Sequence, residues 1–329
     1  MKNILIISTG GTICSKVIDG CRRLAPDVSE STVVENFYKN SKYASRLGGI
    51  FENSDFPTKT LSENMTFSKL ESLLSHINGF DLEKYSGVII LHGTDTLAYT
   101  AALLSLVFSY TPVPIMLVSG DAPPDMEISN ANANFEKAVE CIVEGISPNV
   151  YVPYRNSDGK MTLHLASRLM QCPSFSSDFR SVGACVDFEK ISRERRSLPF
   201  DVKEFDSSVM LIQPYVNLDY SRVDLDGVTA VAHGTYHSGT FCTEGGKYSV
   251  ITLAENCKEH DIPLFVAPCT LGEDQYESVY NALDCAEIIP VSMTLEMLYI
   301  KLTLAVSAGL HGEEIKKFVL TPFNSEMVS

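Results

Sequence analysis

The chain has 329 residues, 45% of them hydrophobic and 20% charged, enough for about two domains of ~150 residues, each with its own core. Its formal net charge of −15 excludes nucleic acid and an anionic membrane surface as expected partners, because both would repel it. The nine cysteines (Cys14, Cys21, Cys141, Cys172, Cys185, Cys242, Cys257, Cys269, Cys285) are odd in number and show no C-x-x-C spacing, so reduced thiols in a cytoplasmic protein are expected, with no disulfide framework and no metal site.

The N-terminal stretch "MKNILIIST" enters an apolar strand at Asn3–Ile7. That run is too short for a signal peptide, and no cleavage-like site follows. Val28–Asn40 has a helical pattern, with Ser29 and Ser31 as candidate caps. Phe67–Ile77 repeats Leu70, Leu73, Leu74 and Ile77 at helical spacing and stops at Asn78-Gly79, a C-terminal signal. Val88–Leu91 and Ile115–Val118 are continuous apolar strands, the kind that a parallel sheet covers on both faces. Helices are expected at Thr96–Tyr110 and Ile128–Glu144. The longest apolar run, Ala101–Phe108, is broken by Ser105 and falls far short of the ~20 residues of a membrane span.

Val150–Tyr154 and Met161–Leu165 flank "RNSDGK", whose Asp158-Gly159 pair predicts a β-hairpin. The charged, aperiodic run "EKISRERRSLPFDVKE" at 189–204 marks a linker over 189–208. Beyond it, Val209–Gln213, Val228–Ala232 and Leu264–Ala267 read as strands, and Lys247–His260 and Met293–Ala308 as helices. No internal repeat is evident. The expected fold is α/β. A larger N-terminal α/β sheet domain (1–188) ends in a hairpin, and a smaller parallel α/β domain (209–329) follows.

Open α/β sheets bind ligands beyond the carboxyl ends of their strands. Two such ends carry hydroxyls. "STGGTIC", Ser8–Cys14, follows the first strand. Gly10 and Gly11 permit close approach of a substrate, and Thr12 presents a hydroxyl beside backbone N–H groups suited to an oxyanion. A plain tight turn is the alternative. The spacing fits neither a dinucleotide fingerprint nor a phosphate loop. "LHGTDT", Leu91–Thr96, follows the apolar strand Val88–Leu91. Asp95 beside Thr94 suits a proton carrier or a substrate ammonium group. Helix capping by Thr94 or Asp95 is the alternative.

Together, T-G-G-T-I and H-G-T-D-T resemble the bacterial-type L-asparaginase/glutaminase family. "LSENM" (61–65) resembles its substrate-carboxylate loop, and "APCTLGEDQY" and "VSMTLEMLYIKLTLA" its C-terminal domain. The resemblance spans nearly the whole chain. It implies a threonine acyl-enzyme that needs no metal or cofactor, with Thr12 as nucleophile and Thr94 and Asp95 as the second cluster. It further implies that Gly11, Ser62, Glu63, Thr94 and Asp95 bind the substrate, Asp95 at its α-ammonium and Ser62 and Glu63 at its carboxylate and amine.

Two departures accompany the resemblance. The family's lysine, on the hairpin strand, falls on or next to Arg168, which stays protonated and cannot serve as a base. Arg168 is still expected to hold Asp95 or Thr94, with a plain ion pair as the alternative; Lys160 sits too far out, in the turn. The lid after Thr12 has no tyrosine before Tyr38 and offers Lys16, Arg22 and Arg23, which equally suit a solvated loop. "AHGTYHSGTF" (232–241) forms a third crevice-like segment. His237 and Ser238 there could complete a neighbouring protomer's pocket, although a hydrogen-bonded structural role is the simpler reading of His237. His92 reads as a turn histidine.

The expectation is therefore a cytoplasmic amidohydrolase acting on L-asparagine or a similar small amide, assembled as a homodimer or homotetramer. The alternatives are a non-catalytic amino-acid sensor and, less favoured because the chain begins directly at the first strand, an ammonia-delivering amidotransferase subunit.

Overall fold

The computed structural model describes residues 2–24, 29–54, 56–183, 195–202, 204–269 and 276–328. Two compact units divide it, Met1–Ser197 and Leu198–Ser329. Part of the expected linker (189–194 and 203) and Cys185 lie outside the described residues.

The first unit runs β1 (Ile4–Ser8), β2 (Ser15–Ile18), β3 (Cys21–Leu24), α1 (Ser29–Asn40), β4 (Phe51–Ser54), α2 (Phe67–Asn78), β5 (Gly87–Leu91), α3 (Leu97–Val107), β6 (Ile115–Val118), α4 (Ala131–Val143), β7 (Val150–Arg155), β8 (Met161–Leu165), β9 (Leu169–Met170) and β10 (Arg180–Ser181). Its main sheet has the order β4-β1-β5-β6-β7-β8. The first five strands are parallel, and β8 returns antiparallel to β7 as the hairpin. β1, β5 and β6 are buried at every position, which is why their sequences are apolar without alternation.

Alternate strand residues Ile4, Ile6, Ile89, Leu91, Met116 and Val118 pack against Phe37 of α1 and Phe135 and Val139 of α4. Tyr38, the first tyrosine after Thr12, joins this aromatic layer against Phe37 and Phe51 and donates its hydroxyl to Leu47 O at 3.2 Å. In sequence order the five parallel strands stand 2-1-3-4-5, so β1 and β5 flank the point where the winding reverses. That is where such a sheet opens a ligand crevice.

Boundaries differ from expectation for local reasons. α4 starts at Ala131 rather than Ile128. Asp121 and Asn130 exchange N–H···O bonds of 3.0 Å, which closes the preceding loop and leaves Ile128 exposed. The hairpin β2–β3 is additional to the expected elements. Its Asp19-Gly20 turn has φ of 53° and 76°, the left-handed pair that a two-residue hairpin loop requires.

The second unit runs β11 (Val209–Ile212), β12 (Ala230–Gly234), α5 (Val250–Glu259), β13 (Leu264–Ala267), α6 (Glu277–Cys285), β14 (Ile289–Pro290), α7 (Leu295–Ser307) and α8 (Glu313–Leu320). Its sheet is parallel in the order β11-β12-β13-β14. β12 begins two residues later than expected, because Val228 N–H closes a turn on Leu225 O at 3.1 Å. Buried within α7 is Lys301, paired with Glu326 at 2.7 Å, both side chains fully enclosed.

Candidate functional site

The crevice is built by two turns that touch. β1 ends at Ser8, and Thr9 carries the pairing one residue further, donating both its N–H and its hydroxyl to Leu91 O at 2.9 Å. The chain then turns at Gly10 and Gly11, with φ of 110° and 80°. These angles suit glycine, and space demands it as well. A β-carbon on Gly10 would stand 2.1 Å from Thr60 O, and one on Gly11 would stand 2.2 Å from Gly93 Cα. The backbones of the two glycine turns are therefore in direct contact.

Thr12 follows on a short 3-10 turn, Thr12–Cys14, and is partly exposed. The turn is fixed from below by Cys14 N–H on Gly11 O at 3.0 Å and by the Ser15 hydroxyl on the same carbonyl at 2.8 Å. Gly11 N–H is itself committed to Thr60 O at 3.0 Å, so an oxyanion would have to be met by other donors. Among the described residues, the hydroxyls of Thr12 and Thr94 are in no hydrogen bond.

On the other side, β5 delivers His92, Gly93, Thr94 and Asp95. His92 is fully buried. Its Nδ1 pairs with Gly93 O at 2.7 Å and its Nε2 with Thr100 Oγ1 at 3.0 Å. Burial, stronger than the opposing hydrogen bond to Gly93 and the charge of Asp95, pushes its pKa down to about 4. A neutral ring locked between the turn and α3 is the structural histidine expected there. Neither Thr94 nor Asp95 caps α3; the N-cap is Thr96, and its hydroxyl donates instead to Ser62 O at 2.9 Å.

Ser62 is buried in the 3-10 turn Ser62–Asn64. Its hydroxyl donates to Asp95 Oδ2 at 3.0 Å and accepts from Asp95 N–H at 3.2 Å. Its one proton is thus given to Asp95. Gly93 makes room for this, since a β-carbon there would meet Ser62 Oγ at 2.4 Å. Glu63 is exposed beside it. The structure thus brings together the turns that bear Gly11, Thr12, Ser62, Glu63, Thr94 and Asp95.

Arg168 closes the 3-10 turn Ala166–Arg168, which packs on α3, and its carbonyl accepts from Val182 N–H at 3.0 Å. The side-chain amide that reaches the Asp95 turn belongs to Gln171, whose Nε2 donates to Asp95 O at 2.7 Å. Gln171 and Thr60 were not evident from sequence, because their contacts join distant segments. Lys160 is exposed in the β7–β8 turn.

His237 is exposed in the second unit, which corrects its expected structural role. The buried ring of that segment is His233, with Nε2 on Tyr220 OH at 2.8 Å. Gly234 follows it, where a β-carbon would stand 2.5 Å from Gln213 Oε1, and then Thr235, bonded to Pro268 O at 2.9 Å. The segment thus repeats the His-Gly-Thr arrangement of 92–94, a repeat not expected from sequence.

A groove of about 580 Å³ elsewhere in the second unit lies along Pro263, Leu264 and Ile289. Four of its five charged groups already pair with one another, Lys258 with Glu287 at 2.6 Å and Lys316 with Glu313 at 3.4 Å. The glycine-turn crevice is accordingly the better candidate. Among the described residues there is no group of three or more His, Cys, Asp or Glu able to hold a metal ion, and no helix is long and apolar enough to cross a membrane.

A family model described as Asparaginase, N-terminal, matches residues 3–186. A glutamyl-tRNA(Gln) amidotransferase subunit of Methanococcus maripaludis is 30% identical, over 97% of this chain and 79% of its own. A protein of the same description from Methanosphaera stadtmanae is 26% identical, over 99% and 77%. Among solved structures, L-asparaginase I from Vibrio cholerae matches with a TM-score of 0.78 at 22% identity, covering 100% of this chain and 99% of that one. The thermostable L-asparaginase from Thermococcus kodakarensis matches with a TM-score of 0.77 at 22% identity, covering 99% of each. At that identity the two structures speak to the fold.

Proposed function

Because the chain belongs to the asparaginase family, we propose that it is a threonine amidohydrolase acting on L-asparagine or a similar small amide. The observation that carries this reading is the backbone contact of Gly11 with Gly93, which sets the turns bearing Thr12 and Thr94 side by side. In the proposed reaction Thr12 Oγ attacks the side-chain amide carbon, ammonia leaves with the hydroxyl proton, and water then hydrolyses the threonine ester. Asp95 receives the substrate ammonium, held in orientation by Ser62. Glu63 and the Ser62 turn stand at the α-carboxylate end. Thr94 relays the proton, and Arg168 supplies fixed positive charge rather than a base.

Ammonia release from asparagine, glutamine and related amides tests this, with wild type beside Thr12→Ala. The wild type should release ammonia. Thr12→Ala should lose turnover while its melting profile stays close, since the hydroxyl is partly exposed and its removal costs about 1 kcal/mol or less. Activity retained within a few-fold would refute Thr12 as nucleophile.

The near full-length similarity to proteins described as amidotransferase subunits favours a second reading, in which the same amide cleavage supplies ammonia to a partner enzyme. Release that rises sharply on adding such a partner would select it. The first reading also carries a homodimer or homotetramer and a cytoplasmic location. The location is supported by free thiols at Cys21, Cys141, Cys172, Cys242 and Cys257.

A further inference from the structure

Lys69 stands in the first turn of α2, where the helix dipole disfavours a cation. It is held there by two neutral acceptors. Its ammonium donates to Thr60 Oγ1 at 2.9 Å and to Asn64 O at 2.7 Å. The lysine thus ties both ends of segment 60–64 to the helix.

That segment is bonded to both sides of the crevice. Thr60 N–H donates to Thr9 O at 2.9 Å, and Thr60 O accepts from Gly11 N–H at 3.0 Å. Ser62 carries the two bonds to Asp95 and receives the Thr96 hydroxyl. Thr60 and Ser62 are buried but polar, Leu61 is half-buried, and Glu63 and Asn64 are exposed, so little apolar burial fixes the segment. Its position depends on hydrogen bonds, and those from an ammonium are among the stronger ones.

We propose that Lys69 is a positioning residue of the amide site: by pinning Thr60 and Asn64 it fixes the Thr12 turn through Thr60 and the Asp95 carboxylate through Ser62. The proposal rests on the amide-site reading for its functional consequence. Lys69 acts through these residues and takes no part in bond making.

Hydrogen exchange read by mass spectrometry tests it on the full chain. Peptides covering 9–14 and 92–96 report the two sides, and α3 (97–107) is the internal reference. In Lys69→Met both segments should exchange about tenfold faster with α3 unchanged, as expected when a charge-assisted bond is lost locally. Lys69→Arg keeps donors of similar reach and should restore most of the protection. Thr60→Val removes the acceptor hydroxyl at nearly constant volume. It should reproduce the Met variant, and it carries the test if Lys69→Met does not fold. On asparagine, Lys69→Met should raise KM about tenfold and lower kcat less, because orientation of the bound substrate is lost before chemistry.

Unchanged exchange in either segment overturns the proposal. So does an equal rise across the whole chain, the mark of a merely structural lysine, or an unchanged KM in an active enzyme. A wild type that neither hydrolyses amides nor binds aspartate defeats the amide-site reading, while the exchange data still decide whether Lys69 fixes both turns.

Discussion

Ser62 and Asp95, thirty-three positions apart, are joined twice by one hydroxyl, which gives its proton to the carboxylate at 3.0 Å and takes the backbone N–H at 3.2 Å. The two bonds close a small ring around an exposed acid. Asp95 therefore keeps one orientation at a surface position where a free carboxylate would sample several rotamers. Gly93 is the reason the ring closes, since any side chain there would displace the serine.

Ser62→Ala should release Asp95 and weaken binding of asparagine or aspartate, while Asp95→Asn should weaken it further. The loss of a charge-assisted bond to the substrate ammonium corresponds to about 1.5–3 kcal/mol. Calorimetric titration with aspartate and with succinate, which lacks the amino group, separates the roles. Aspartate binding should suffer much more than succinate binding. Equal losses would remove Asp95 from ammonium recognition.

Acid should destabilise the fold in a window set by three buried histidines. His92, His164 and His233 each have a pKa pushed down to about 4, with burial the dominant cause. The unfolded chain regains a value of about 6.5. Below that value the unfolded state binds more protons, so stability present at neutral pH is lost as pH falls from 6.5 toward 4. Each ring contributes a slope of up to about 1.4 kcal/mol per pH unit there. Urea titrations at pH 7, 6, 5 and 4.5 should show this slope, and His92→Gln should reduce it. A flat profile between pH 6.5 and 4.5 would contradict the assignment.

The enclosed pair Lys301–Glu326 makes a sharper demand on stability. Glu326 also accepts N–H bonds from Phe323 and Asn324, at 2.9 and 2.7 Å. Burial alone would raise its carboxyl pKa, but the Lys301 ammonium and these bonds outweigh that and hold it below the usual range. Glu326→Gln leaves a buried ammonium without its counter-charge and should cost about 3–5 kcal/mol. Lys301→Met combined with Glu326→Gln should recover part of that loss. Denaturant midpoints of the two variants check this, and a double variant no more stable than the single one would argue against a charge-based penalty.

How much could be read beforehand follows the range of the signals. Apolar runs such as Val88–Leu91 and Ile115–Val118 announce buried strands because sheet burial acts on neighbours in sequence. The Thr12 and Thr94 turns were legible for the same reason: glycine, hydroxyl and strand end lie within a few residues. Asp19-Gly20 carried the same turn signal as Asp158-Gly159, but its flanking strands contain Lys16, Arg22 and Arg23, which hide the apolar pattern. β14, only two residues long, has no periodicity to detect. The Ser62 clamp, the Gln171 amide and Lys69 act between segments brought together by folding, and no local pattern encodes such a meeting.

The doubled His-Gly-Thr turn separates scaffold from vocation. In both copies the imidazole is enclosed at a strand end, bonded to a hydroxyl from another element. In both, the glycine admits a polar side chain that any larger residue would evict. The histidine and the glycine thus answer to the backbone in both copies. The fourth letter differs: Asp95 after one copy, Tyr236 after the other. A motif search that stops at His-Gly-Thr would score both places alike. In this chain the two segments differ in residue type one position later, where a shared way of ending a strand gives way to an acid in one unit and an aromatic ring in the other.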